Sequence, residues 1–155
     1  MEYAIIRPPL IYGPGVKANL RSLINAVKSS KYLPFRLLNE KRSFVYVDNL
    51  VDFIINVIKE TKVVNSEFFV TDNDDLSLYE LVSMIRSELS SNSKIIPIPR
   101  WALYLVFCLM RKRGLIPRLL MPLTLNIERA KKQFNWSPPY SVSYGYKKTL
   151  EEFKK

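Results

Sequence analysis

Histidine is absent from this chain of 155 residues, and cysteine occurs once. Without histidine no Ser-His-Asp or Cys-His arrangement can be assembled, and zinc loses a principal nitrogen ligand. Neither a His-based triad nor a metal site is therefore expected. The single cysteine, Cys108, excludes an internal disulfide; it stands in an apolar run and is expected to be an inert core thiol. No internal repeat or low-complexity stretch is present. The N-terminus lacks a basic region followed by an apolar core, so no signal peptide is expected, and a reducing, cytoplasmic setting is. The apolar run from Trp101 to Met110 is ten residues long, whereas a bilayer-spanning helix needs about 20.

Acidic charge is scarce in only one part of the chain. From Lys94 onward 13 basic residues face 3 acidic ones, while 11 of each precede it, so the whole net charge of +10 lies in the C-terminal part. Such asymmetry points to an anionic partner (a phosphorylated ligand, a membrane surface or nucleic acid). A solvated basic face that binds nothing in particular accounts for it equally. Arg111-Lys112-Arg113 follows the apolar run, and Trp101 and Tyr104 lie in its first half. Residues 101–113 could thus contact an anionic membrane surface, a membrane-peripheral setting, or the run could pack in a core. Interleaved aromatics and cations give nucleic acid weak support, and it is not the expected partner.

With 48% hydrophobic residues the chain can bury one ordinary core, and a single domain over residues 1–155 is expected. Tyr3 to Ile6 reads as a strand stopped by Pro8-Pro9, because neither proline can donate to a sheet ladder. Leu20, Leu23, Ile24 and Val27 recur with helical spacing over residues 18–30. Short strand-like segments follow at Leu33–Leu37 and Ser43–Val47. Asp48 is expected to cap a helix reaching Glu60. Glu67–Thr71 reads as a strand, and Ser77 with Glu80 forms a Ser-x-x-Glu capping box ahead of another helix. Lys94–Ile98 reads as extended, Pro99 opens a helix through Met110, and two more helices lie near 126–134 and 142–153. Alternating strands and helices make the class α/β or α+β, with about six helices.

Two patterns look like cofactor machinery. Gly13-Pro14-Gly15-Val16-Lys17-Ala18 satisfies the letter of G-x-G-x-x-G/A. However, Pro8-Pro9 interrupts the strand before it, and no strand ending in Asp or Glu follows its helix about 20 residues on. It reads instead as a turn that either presents a helix N-terminus, suited to a phosphate, or merely reverses the chain. Tyr144 and Lys148 form a Tyr-x-x-x-Lys match, but in the last helix with a glycine inside, and this match is rejected.

The run Arg7-Pro8-Pro9-Leu10-Ile11-Tyr12-Gly13-Pro14 resembles the Arg-Pro-x-x-x-Tyr-Gly-Pro strand of the extended short-chain dehydrogenase/reductases, the family of nucleotide-sugar epimerases and dehydratases. Lys41-Arg42-Ser43-Phe44-Val45-Tyr46-Val47-Asp48-Asn49-Leu50 resembles a second run of that family. So does the tail, from the lysine-rich stretch Asn126 to Phe134 through Asn135-Trp136-Ser137-Pro138-Pro139. The resemblance covers Tyr3 to Phe153, and its nearest likeness is to bacterial UDP-sugar enzymes of surface-polysaccharide synthesis. It implies the C-terminal, substrate-binding part of a Rossmann-type fold without its dinucleotide-binding half.

The resemblance further implies a UDP-sugar ligand. Arg42 would grip the diphosphate, a role suited to a guanidinium fork. Asn19 and Leu20 would meet it at a helix start, Leu33 and Phe35 would wall the base, and Pro8 would lie near the nicotinamide. NAD or NADP would serve the complete fold, with none binding tightly to this chain alone. No catalytic residue is expected here, because the family's glycine-rich loop and Tyr-x-x-x-Lys pair precede this region; activity would require a separate N-terminal Rossmann polypeptide as partner, with a truncated gene product as the equal alternative. Leu10 replaces an asparagine that contacts substrate in many epimerases, so the sugar does not carry over. In such folds segments 3–6 and 67–71 pair with the Rossmann sheet, and without it they would be left with open edges.

Overall fold

The computed structural model describes residues 3–60, 65–99, 101, 102, 105 and 122–154. Along them run β1 (Ala4–Arg7), β2 (Leu10–Tyr12), α1 (Ala18–Ser29), β3 (Tyr32–Leu33), β4 (Lys41–Arg42), β5 (Phe44–Tyr46) and α2 (Val47–Lys59). These are followed by β6 (Ser66–Phe69), β7 (Leu76–Ser77), α3 (Leu78–Glu88), β8 (Lys94–Ile95), α4 (Glu128–Phe134) and α5 (Val142–Leu150), which a 3-10 turn continues over Glu151–Phe153. Among the described residues the strands pair two by two: β1 with β6, β2 with β5 and β3 with β8 in parallel, and β4 with β7 antiparallel. The mixed α/β class is as expected. Most of the expected 101–113 segment and Cys108 lie outside the described residues; of the three that are described, Trp101 and Leu105 are exposed.

Pro8-Pro9 does more than end a strand. It separates β1 from β2, and the two strands belong to different sheets. A residue that fixes φ and lacks an N–H cannot continue a ladder, so the chain changes sheet where the prolines stand. The expected strand at 33–37 is also shorter: after Leu33 the chain turns, with the Leu38 N–H donating to the Phe35 carbonyl at 3.2 Å.

The helices follow their local chemistry, except that one cap expected from the sequence does not form. In α1, Leu20, Ile24 and Val27 are buried on one face, as the spacing requires. In α3 the Ser77 Oγ accepts from the Glu80 N–H while the Glu80 carboxylate accepts from the Ser77 N–H, a complete capping box worth about 1 kcal/mol. Asn135 ends α4 at φ 46°, ψ 38°, in the left-handed region that asparagine tolerates better than most residues. The exception is α2. It starts at Val47 behind Tyr46, with no side-chain cap, so Asp48 lies inside the first turn, where its charge faces the positive end of the helix dipole.

Two cores result. The first gathers Tyr12, Leu20, Ile24, Leu33, Phe44, Tyr46, Leu81, Ile85, Tyr146 and Leu150 between α1, α3 and α5. The second gathers Val45, Phe53, Phe68, Val70, Ile127, Ala130 and Trp136 between α2, α4 and the β1–β6 pair. Strand β5 serves both, since alternate side chains leave opposite faces: Phe44 and Tyr46 enter the first core and Val45 the second.

Candidate functional site

The turn after β2 closes with the Val16 N–H donating to the Gly13 carbonyl at 3.2 Å, and Gly15 takes φ 76°. It delivers the chain to the start of α1. The N-cap residue there, Lys17, makes no side-chain cap, and no acidic residue stands in the first turn. Neither the N-cap nor an acidic residue of the first turn caps the first N–H groups of α1, the local condition for receiving an anion. Asn19 lies exposed in that turn, while Leu20 beside it is buried in the first core.

Arg42 is mounted on a strand with neighbours on both sides. Its backbone stands opposite Leu76 in the β4–β7 ladder and bridges to Leu123. The Ser43 N–H donates to the Leu123 carbonyl at 2.8 Å and the Leu123 N–H to the Lys41 carbonyl at 3.1 Å. Ser43 Oγ donates to Asp75 Oδ1 at 2.6 Å and accepts from the Leu125 N–H at 2.9 Å, fixing the segment from a third direction. Partial burial draws the Arg42 pKa down from its ordinary value; a guanidinium so placed is still a cation at neutral pH. On the other side of the strand Lys41 Nζ meets the Glu80 carboxylate at 2.6 Å, and that hydrogen bond is the chief cause of the Glu80 pKa falling to about 2.

Leu33 is 2% exposed, and its carbonyl accepts from the Ile96 N–H at 2.9 Å. Phe35 is half-buried against the first core. Arg36, next in sequence, places its guanidinium over the Tyr79 ring, 5.7 Å from the centroid. Leu20, Leu33 and Phe35 therefore meet in one core. Arg42 adjoins that core through the β4–β7 ladder, since Leu76 belongs to it. Asn19 marks the exposed start of α1, and Pro8 is half-buried at the step between β1 and β2. The buried side chains of Leu20 and Leu33 are packing groups, so these positions have only backbone to offer a ligand. Two surface grooves, formed by the C-terminal ends of α1 and α3 and the loop at 89–93, include none of the predicted site residues.

What the sequence did not reveal is a buried polar centre. Asp72 Oδ2 accepts from Tyr12 Oη at 2.6 Å, and Oδ1 accepts from the Tyr46 N–H at 2.8 Å and from Asn49 Nδ2 at 2.7 Å. Burial raises the Asp72 pKa, while these donors oppose the shift by stabilising the carboxylate. Asn49 also exchanges two hydrogen bonds with the Tyr140 backbone, both 2.9 Å, tying α2 to the segment before α5. The Tyr12 ring stacks on Tyr146 with centroids 4.1 Å apart. This centre holds the ends of β2 and β5 together and so fixes both the Gly13 turn and the strand that follows Arg42. Its members come from residues 12, 46, 49, 72, 140 and 146, which only the fold brings together.

The two cofactor-like patterns are structural. A Cβ on Gly13 would meet Val47 Cγ1 at 2.5 Å, so the space this glycine leaves is filled by α2 and cannot cradle a pyrophosphate. Gly145 is needed for close approach as well: a Cβ there would meet Tyr12 Oη at 2.8 Å and Tyr46 Cδ2 at 2.9 Å. Tyr144 stacks on Tyr140, and Lys148 Nζ pairs with Glu151 Oε1 at 3.1 Å, so the Tyr-x-x-x-Lys match is spent on the surface of α5. Neither pattern, as placed here, makes a dinucleotide site. Among the described residues no group of His, Cys, Asp or Glu could hold a metal, and no helix is long and apolar enough to cross a membrane.

Comparison with known proteins agrees with this architecture. Residues 1–100 match the profile of the 3-beta hydroxysteroid dehydrogenase/isomerase family. The chain belongs to that family, and its mixed α/β fold matches part of the Rossmann-type fold of extended short-chain dehydrogenase/reductases. It is 38% identical over 154 residues to the UDP-glucose 4-epimerase of Vibrio cholerae, covering 99% of this chain and 47% of that one. Among solved structures it is similar to UDP-glucose 4-epimerase with UDP-glucose from Thermotoga maritima, at TM-score 0.71 and 18% identity, over 99% of this chain and 46% of that one. It is also similar to UDP-glucuronic acid 4-epimerase from Bacillus cereus in complex with NAD, at TM-score 0.71 and 17% identity, over 97% and 42%. The chain thus spans less than half the length of these relatives.

Proposed function

We propose that this chain is the UDP-sugar-binding portion of an NAD(P)-dependent epimerase or dehydratase of surface-polysaccharide synthesis, and that it does not turn over substrate alone. The observation that carries the reading is the identity with the Vibrio cholerae enzyme along virtually the whole chain. The uncapped start of α1 and the firmly mounted Arg42 support it. Arg42 would hold the diphosphate by charge and planar fork, and Asn19 would meet it at the helix start. Leu33 and Phe35 would form the wall of the base pocket. In the whole enzyme a nicotinamide would exchange hydride with a sugar carbon; this chain's part is to bind and orient the sugar nucleotide.

Calorimetry with UDP and UDP-N-acetylglucosamine on the wild type and Arg42→Ala tests this. The wild type binds both, and Arg42→Ala weakens binding by roughly 10- to 100-fold, the worth of a charge-assisted contact. A folded wild type that binds neither overturns the reading. The charge asymmetry of the C-terminal part favours a second reading, a basic module for polyanions or anionic membranes. Its mark would be affinity without base selectivity that falls steeply with added salt.

A further inference from the structure

The segment that follows β6 runs past strand β5 and touches both elements on which the sugar-nucleotide reading depends. The Asp72 N–H donates to the Phe44 carbonyl at 2.9 Å, and its carboxylate accepts from Tyr12, Tyr46 and Asn49. Asn73 then turns the chain at φ 58°, with its N–H donating to Thr71 Oγ1 at 3.0 Å. Beyond that turn Asp75 Oδ1 accepts from Ser43 Oγ at 2.6 Å, the Asp75 carbonyl accepts from Lys41 Nζ at 3.2 Å, and Leu76 stands opposite Arg42. Asp72 to Leu76 thus reaches from the strand of Arg42 to the tyrosine that leads into the Gly13 turn. The Gly13 turn has a second tie to the same carboxylate. Gly13 lies against Val47, which follows directly on Tyr46, and the Tyr46 N–H is held by Asp72.

We propose that Asp72 is a positioning residue of the sugar-nucleotide site: through Tyr12 it sets where α1 starts, and through the segment it opens it sets the strand of Arg42, so that the two keep one separation. The inference deepens the functional reading above and rests on it. Stability alone does not account for a carboxylate here. A buried carboxylate is costly, and apolar groups of the same shape hold a fold together as well or better. What apolar groups lack is direction. Donors from three segments converge on the Asp72 carboxylate and leave it a single placement. A diphosphate gripped by a helix start and a guanidinium requires that, because a shift of about 1 Å in either loosens the grip.

The test pairs amide hydrogen exchange with UDP calorimetry. Tyr12→Phe removes one hydroxyl and keeps the ring on Tyr146. Exchange at Val16, whose N–H closes the Gly13 turn, is then expected to quicken roughly 10-fold, and UDP affinity to fall roughly 5-fold. Asp72→Asn keeps Oδ1 for Tyr46 and Asn49 and offers Tyr12 Oη a donor, so both readouts stay within about 2-fold of the wild type. Asp72→Leu keeps the bulk without the oxygens; it quickens exchange at Leu125 as well as Val16 and weakens UDP binding roughly 10-fold or more. Phe53→Leu, a packing change in the second core, lowers stability and leaves UDP affinity unchanged, which separates position from stability. Should Asp72→Leu fail to fold, Tyr12→Phe and Asp72→Asn decide. Wild-type exchange and affinity in Tyr12→Phe, an Asp72→Asn that binds as weakly as Tyr12→Phe, or a Phe53→Leu that loses UDP along with its stability would each overturn the proposal. A folded wild type that binds no UDP ends the functional reading instead, and Val16 exchange in Tyr12→Phe then decides alone whether Asp72 sets the turn.

Discussion

Around Tyr12 and Tyr146 the chain packs rings against a buried carboxylate and closes three helices over them, whereas around Phe53 it packs rings against one face of a parallel pair and leaves the other face bare. Both regions are rich in aromatics, yet they are specified differently. In the first, Asp72 collects donors from three separate segments, so position is set by hydrogen bonds as well as by shape. In the second, Phe53 meets Phe68, Phe134 and Trp136 at centroid distances of 5.0–6.2 Å, and packing does most of the work, with Trp136 Nε1 donating to Asp52 Oδ2 at its rim. The lesson is that the first region is positioned by directed hydrogen bonds together with packing, whereas its neighbour relies on packing alone over most of its extent.

The largest expected effect is in the second region. Phe53→Ala removes a fully buried ring and costs about 3–5 kcal/mol by urea denaturation; a loss under about 1 kcal/mol would mean that α2 is not anchored there. Next comes the polar centre. Asp72→Ala strands the Tyr12 hydroxyl and the Tyr46 N–H and leaves Asn49 Nδ2 with only its bond to the Tyr140 carbonyl, and should cost about 3 kcal/mol in the same assay. A mild effect would erase the distinction between the two regions.

These contrasts also show what could be read from residue order. Features with local causes were legible: the α1 stripe, the Ser77–Glu80 box and the left-handed Asn135 each depend on neighbours within a turn. Features with distant causes were not. Asp48 is a good cap by type, but the β2–β5 ladder carries extended backbone through Tyr46 and leaves α2 to start at Val47. Asp72 is buried because Tyr12 is brought to it from 60 positions away. For the same reason the burial of the Leu20 and Leu33 side chains in the first core was not legible, and Arg42 was legible as a charge at a strand but not as one on a segment tied to Leu76, Leu123 and Asp75.

A smaller effect concerns acid. The Glu80 pKa of about 2 lies below its ordinary 4.5, so its stabilising contribution is complete above the ordinary value and fades as pH falls toward about 2. The pair with Lys41 is at the surface, and screening limits it to about 0.5–1 kcal/mol. Thermal melts between those pH values should show this slope, and Lys41→Met should flatten it. The smallest expected effect is Tyr146→Phe. Among the described residues the buried Tyr146 hydroxyl has no hydrogen-bond partner, so removing it should leave stability within about 0.5 kcal/mol or raise it. A loss above about 1.5 kcal/mol would reveal a partner for that hydroxyl.

Strand β5 is only three residues long, yet it is a party wall. A slip by a single residue would turn Val45 toward the tyrosines and push two aromatic side chains into the space around Phe53. Neither room can be rearranged without the other noticing, so the chain is expected to melt in one cooperative step despite having two cores.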